Sequence, residues 1–177
     1  GSLHQCQLCG SDQLESVIDL GHQAPCDSLL LKEDLDKPEL TYPLRLVRCI
    51  DCSLIQIDYV VAPEKLFFRE YPYRTGITPT LANNLQKGAM KFVERLSVTP
   101  NSLVIDIGSN DGTLLKGFVK AGMRVLGIEP TNVARIAIDD GIPSIQEFFS
   151  TDTAEKVKEE HGEASLITAA NMFAHIP

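Results

Sequence analysis

Basic residues are scarce in this chain. Lys and Arg total 16 against 24 Asp and Glu, a net charge of −8. That deficit, with no Lys/Arg stripe, argues against nucleic acid or an acidic membrane surface as partner. No run approaches the ~18 apolar residues that a membrane span needs. No charged, apolar, small-residue leader opens the chain. A cytoplasmic, reducing setting is therefore expected, in which five cysteines point to metal rather than disulfides. What the chain does have is 177 residues, 44% of them hydrophobic. That suffices for one medium domain or two small ones with real cores. Gly1-Ser2 reads as a cloning scar. The stop at Ala174-His175-Ile176-Pro177, just after a strand-like run, reads as the end of a fragment.

Four cysteines pair by spacing. Cys6-Gln7-Leu8-Cys9 and Cys49-Ile50-Asp51-Cys52 are two Cys-x-x-Cys knuckles, each followed by a small residue, Gly10 or Ser53. Four thiolates make the closed tetrahedral set of structural zinc, with no open position for catalysis. The wide separation of the knuckles requires a loop or small hairpin between them. Val17–Gly21, Tyr42–Val47 and Leu54–Ile57 read as strands of a β-rich module. Cys26 reads as an idle thiol. His4 and His22 are not needed as ligands.

Residues 63–78 are rich in rings: Phe67, Phe68, Tyr71 and Tyr73. Phe67 and Phe68 read as packing. Tyr71-Pro72-Tyr73-Arg74-Thr75-Gly76 has no helical period, and loops of this kind carry function more often than packing. For the two tyrosines, both readings stay open. Thr78-Pro79 then opens a helix as N-cap and first helical residue. Its apolar face is Leu81, Leu85, Ala89, Phe92, Val93 and Leu96.

From Ser102 the pattern alternates between strand and helix. Strands are expected at Leu103–Ile107, Arg124–Ile128, Pro143–Ile145 and Ser165–Ala170. Helices are expected over 112–121 and 132–140, and again from a capping box at Asp152 and Glu155 to Gly162. Such βα units imply a doubly wound α/β fold with a parallel sheet of order 3-2-1-4, its crevice beside the first strand. The fourth strand is then an exposed edge that invites self-association.

The turn after the first strand is Gly108-Ser109-Asn110-Asp111-Gly112. A dinucleotide site offers bare N–H groups to a pyrophosphate. Here Asp106 and Asp111 would repel phosphate and attract an ammonium or sulfonium. Asn110 tolerates a left-handed backbone, and Thr113 replaces the third glycine of the dinucleotide pattern. Glu129 ends the second strand about 20 residues on, where a carboxylate accepts both hydroxyls of a ribose. A ribose, a cation and no phosphate describe S-adenosylmethionine. A turn that merely packs strand on helix is the other reading open on these residues.

The two knuckles, Tyr71-x-Tyr73, Ser109-Asn110-Asp111-Gly112, Gly127-Ile128-Glu129-Pro130 and Asn171-Met172-Phe173-Ala174-His175-Ile176-Pro177 occur in one order. As a set they resemble the deoxysugar (nucleotide-hexose) C-methyltransferases. Those enzymes have an N-terminal zinc-binding domain, a class I methyltransferase domain and a C-terminal domain. The resemblance spans nearly the whole chain, about the first half of such an enzyme. It implies a zinc-binding domain over 1–62, an aromatic loop and helical connector over 63–98, and the N-terminal half of a methyltransferase domain over 99–177. It implies zinc on Cys6, Cys9, Cys49 and Cys52, S-adenosylmethionine as cofactor and a nucleotide-linked keto-deoxysugar as substrate. A base removes the proton beside the ketone, and the carbanion takes the methyl group. By the resemblance, Gly108, Asn110 and Gly112 shape the turn, and Asp106 and Asp111 lie near the amino-acid end of the cofactor. Glu129, followed by Pro130, holds the ribose. Glu147, Phe148 and Phe149 flank the adenine, and Asn171 and Met172 line the pocket floor. Tyr73, Tyr71 and His175 face the sugar, and His175 suits proton transfer near neutrality. In the family a His-containing segment further downstream supplies a leading candidate for the base, so the base is left unassigned here. The fragment itself is expected to be inactive.

Overall fold

The computed structural model describes residues 1–67 and 70–173. The chain divides into two compact units between Leu66 and Phe67.

The first unit is an antiparallel sheet of order β1-β2-β3, built from β1 (Leu14–Gln23), β2 (Tyr42–Cys49) and β3 (Ile55–Ile57). β1 is longer than its apolar run suggested, because pairing with β2 carries it through polar residues from Leu14 opposite Cys49 to Gln23 opposite Tyr42. The register shifts at Ser16/Ile18 and Asp19/His22, as bulges do in exposed ribbons. Few side chains are buried here: Cys6, Val47, Cys49, Gln56 and Asp58. So small a core needs another source of stability. A short helix, α1 (Pro63–Leu66), closes the unit.

The second unit holds a parallel sheet of order β6-β5-β4-β7: β4 (Leu103–Ile107), β5 (Arg124–Ile128), β6 (Ser144–Ile145) and β7 (Leu166–Thr168). Numbered within the unit, this is the expected 3-2-1-4 order. β4 lies at the centre and pairs with both β5 and β7. Both its faces are covered, as central parallel strands require. Val104 faces a core completed by Leu114, Leu115 and Phe118 of α3 (Thr113–Lys120), by Ala137 of α4 (Val133–Asp139) and by Ala89 of α2 (Pro79–Arg95). Leu103 and Ile105 face the opposite core, with Leu126, Ile128 and Val157 of α5 (Thr151–His161).

Two expectations need correction. Phe92 and Leu96 are exposed, so along α2 Ala89 is buried and Leu81, Leu85 and Val93 are half-buried. α3 meets α2 closely along this stripe: a Cβ on Gly117 would lie 2.6 Å from the Gln86 backbone. Further on, α5 is capped by Ser150, not Asp152. Ser150 has extended backbone and its Oγ accepts from the Thr153 N–H at 3.2 Å, whereas Asp152 already lies inside the helix.

Candidate zinc and cofactor sites

The cysteine knuckles repeat one geometry. In each, the first cysteine's N–H donates five residues on, Cys6 to the Ser11 carbonyl at 2.7 Å and Cys49 to the Leu54 carbonyl at 2.8 Å. In each, the residue after the second cysteine is left-handed, Gly10 at φ 75° and Ser53 at φ 65°. Its N–H returns to the first cysteine's carbonyl, at 2.9 Å for Gly10 and 3.0 Å for Ser53. A left-handed backbone suits a small residue. The result brings four sulfurs together, all within 4.8 Å of one another, with Cys6 Sγ 3.5 Å from Cys52 Sγ and Cys9 Sγ 3.6 Å from Cys49 Sγ. A tetrahedron of Zn–S bonds near 2.3 Å has edges of about 3.8 Å, so the donor set fits zinc. Crowding also separates the thiols. The Cys9 backbone N–H holds Cys6 down to about 6. Cys9 is pushed up to about 12: the Ser11 backbone lowers it, but the Cys52, Cys49 and Cys6 side chains and burial together outweigh that. Among the described residues no other cluster gathers metal-binding side chains. Cys26 is exposed and apart, and His22 meets Thr41 instead.

Gln56 supports the first knuckle and gave no signal in the sequence beyond a polar residue between Ile55 and Ile57. It is buried; its Oε1 accepts from the Gln7 N–H at 2.9 Å and its Nε2 donates to the Gln5 carbonyl at 3.2 Å.

In the second unit the glycine turn spends its own N–H groups on the protein. Gly108 and Ser109 donate to the Ile128 carbonyl at 2.8 and 3.2 Å, and Gly112 donates to the Ser109 carbonyl at 3.0 Å. The Asn110 N–H donates to Glu129 Oε2 at 3.0 Å. These four amides are turned inward, so they form no cradle for a pyrophosphate. Asn110 is left-handed at φ 51°. Gly108 is left-handed too, and a Cβ there would meet Met172 Cγ at 2.7 Å.

Two buried carboxylates stand at the strand ends. Asp106 on β4 accepts from the Thr168 hydroxyl at 2.6 Å. Burial pushes its carboxyl up to about 7; the Thr168 bond opposes the rise and the Glu129 charge adds to it. Glu129, just past β5, accepts from Asn110 through Oε2 and from the Thr131 N–H through Oε1, the latter at 2.9 Å. Each carboxylate oxygen retains a further acceptor site, so Glu129 is held in place and still able to receive two hydroxyls.

Asp111 faces the loop before α2. Its Oδ1 accepts from the Thr113 N–H at 3.2 Å and hydroxyl at 2.6 Å, and its Oδ2 accepts from the Gly76 N–H at 2.8 Å. Beside it, Asn110 Oδ1 accepts from the Thr75 N–H at 2.8 Å and Nδ2 donates to the Tyr73 carbonyl at 3.1 Å. Asn132 Oδ1 accepts from the Tyr71 N–H at 3.0 Å. The tyrosine loop is thus bonded through its backbone to the glycine turn. The Tyr73 side chain is half exposed. The Tyr71 ring lies against Phe67, with centroids 5.8 Å apart.

Other expected site residues are placed as follows. Pro130 follows Glu129 and is half-buried. Phe148 and Phe149 are exposed in the segment between β6 and α5, where the Phe148 carbonyl accepts from the Thr153 hydroxyl at 3.0 Å. Glu147 pairs with Lys156. Asn171 is exposed and left-handed, and Met172 packs against Gly108. His175 and Phe68 lie outside the described residues. Thr131, Asn132 and Thr168 joined the site only in three dimensions, and Thr75 and Gly76 carried no signal beyond their place in the tyrosine loop. Ser109 carried one weak signal, its place in the turn; its Oγ is buried without a hydrogen-bond partner among the described residues.

A four-cysteine zinc-binding module and a Rossmann-like parallel α/β sheet define the class. Residues 6–67 match the family described as "Putative zinc binding domain". Over 176 residues, 99% of the chain, the sequence is 34% identical to the C-methyltransferase NovU of Streptomyces niveus, covering 42% of that protein. Over 78 residues, 42% of the chain, it is 30% identical to the ubiquinone biosynthesis O-methyltransferase of Acinetobacter baylyi, covering 33% of it. Among solved structures, a "putative RNA methyltransferase" from Pyrococcus horikoshii is 17% identical with a TM-score of 0.38, over 52% of this chain and 46% of that one. Residues 6–67 thus match a zinc-binding family, and the chain as a whole is similar to a C-methyltransferase. It spans less than half the length of the curated relatives it matches. Among the described residues no helix is long and apolar enough to cross a membrane.

Proposed function

We propose that this chain is the zinc-binding and cofactor-binding part of an S-adenosylmethionine-dependent enzyme that C-methylates a nucleotide-linked keto-deoxysugar. The observation that carries the cofactor reading is the inward-turned glycine turn beside Asp106 and Glu129. It withholds N–H groups from phosphate and offers buried carboxylates to a cation and a ribose. The relative named as a C-methyltransferase supports the reaction type.

When bound, the cofactor supplies an electrophilic methyl group on a sulfonium. The chain's residues hold it. Glu129, fixed by Asn110 and Thr131, receives the ribose hydroxyls, with Pro130 beside it. Asp106 lies nearest in kind to what an ammonium requires, a buried anion braced by Thr168. Asp111 contributes to the set by fixing the loop and the start of α3. Gly108, Gly112 and Met172 shape the turn and floor with Asn171, and Phe148 and Phe149 offer apolar surface to the adenine. Tyr73, Tyr71 and His175 face the sugar in this reading. In this reading a base takes the proton beside the ketone, and the resulting carbanion accepts the methyl group that the bound cofactor would supply, with S-adenosylhomocysteine leaving. Cys6, Cys9, Cys49 and Cys52 hold a structural zinc. The domain bounds follow the same reading: 1–62, 63–98 and 99–177. The chain spans 42% of the C-methyltransferase it matches, and in this reading the 177 residues bind without turning over. β7 pairs only with β4 among the described residues, and that edge favours self-association.

Isothermal titration tests the cofactor site. The chain is expected to bind S-adenosylhomocysteine with micromolar affinity and to give no heat with NADH. Binding of NADH alone would overturn the reading.

A further inference from the structure

We infer that Asn110 is a positioning residue that couples the ligand state of Glu129 to the order of the tyrosine loop. The inference rests on the reading of Glu129 as the ribose acceptor.

Asn110 is buried and stands between two groups that the proposed reaction uses separately. Its N–H reaches Glu129 Oε2, while its side-chain amide reaches the Tyr73 carbonyl and the Thr75 N–H. Few covalent bonds separate the two ends, and the left-handed backbone at φ 51° fixes their relative direction. Asp111 adds a second latch through the Gly76 N–H. The loop has little order of its own: its one regular piece is a single 3-10 turn, Thr75–Ile77. A loop that borrows its backbone partners depends on whatever positions those partners.

The fit at Gly76 shows how close the loop comes. A Cβ there would lie 2.8 Å from both Asp111 Oδ2 and Thr113 Oγ1. A change at the Glu129 carboxylate on accepting ribose hydroxyls is felt at Asn110 as well as at Thr131, and through Asn110 at Tyr73 and Thr75. Coupling of this kind is reciprocal. A ligand on Glu129 orders the loop, and an ordered loop strengthens the ligand's hold.

Amide hydrogen exchange on the 177-residue chain tests this, with and without saturating S-adenosylhomocysteine. In the wild type the ligand is expected to slow exchange at Thr75 and Gly76 by about tenfold. Asn110→Gly keeps a left-handed backbone and the N–H to Glu129 but removes the amide. At its own saturating ligand concentration it is expected to lose most of that slowing. Gly76→Ala pushes the loop from the opposite side and is expected to lose it too. Wild-type slowing retained in Asn110→Gly would overturn the inference. Absence of any titration heat in the wild type would instead refute the cofactor reading. The unliganded rates then decide the latch: faster exchange at Thr75 in Asn110→Gly supports it, and an unchanged rate overturns it.

Discussion

Asp106 is the residue whose chemistry most depends on its surroundings. Its carboxyl ordinarily titrates near 3.9, yet in the fold it rises to about 7, chiefly through burial. Between those values the folded chain holds a proton that the unfolded chain has released. Its contribution to stability is therefore fullest below about pH 4 and is lost as pH rises through about 7. Cation binding runs the other way, because only the ionised form attracts an ammonium. Affinity for S-adenosylhomocysteine is expected to rise between about pH 6 and pH 8 in the wild type and to stay flat in Asp106→Asn. Thermal melts of the pair should show the wild type losing ground to the variant between about pH 4 and pH 7, and no further above that. A parallel pH profile in both proteins would exclude Asp106 from the site. Sequence alone could place this acid at a strand end. It could not show Thr168, whose hydroxyl arrives from a strand 62 residues away.

At the scale of elements, the strands and helices that have a clear period were legible. β4 and β5 fall where the apolar runs placed them, because both faces of a central parallel strand must be apolar and the signal is strong. The order 3-2-1-4 followed from the alternation itself. What was not legible depends on partners. β1 extends through polar residues because β2 pairs with it. The α2–α3 contact depends on Gly117, which admits the Gln86 backbone closely. The cap of α5 was misplaced because Asp152 and Glu155 imitate a capping box, while Ser150 supplies the hydroxyl. Ser150→Ala is expected to cost about 1 kcal/mol, and Asp152→Ala a few tenths of that from the lost charge at the helix start. Denaturant melts of the two variants rank them directly; equal losses would contradict the assignment of the cap.

At the scale of the whole molecule, the cysteines and the glycine turn announced their sites because each relies on a fixed local spacing. The tyrosine loop did not announce its attachment, since Asn110, Asp111 and Asn132 hold it through backbone groups that any residue possesses. The first unit has so few buried side chains that its order is expected to depend on metal. Chelation should release one zinc per chain and raise exchange and proteolysis across residues 1–66. An unaltered digestion pattern there after zinc loss would contradict this. Acid should act as a chelator does, because protonated thiols do not hold zinc.

The repeated geometry of the two knuckles has a consequence in polymer terms. They are 40 residues apart between Cys9 and Cys49, so one ion ties off a loop of that length. A single covalent cross-link of that span would remove unfolded-chain entropy equivalent to about 4 kcal/mol. The bulges and exposed apolar residues of β1 all lie inside the tied loop. The ion therefore limits how far a poorly buried ribbon can wander, and substitutions within that ribbon are tolerated for as long as the tie holds.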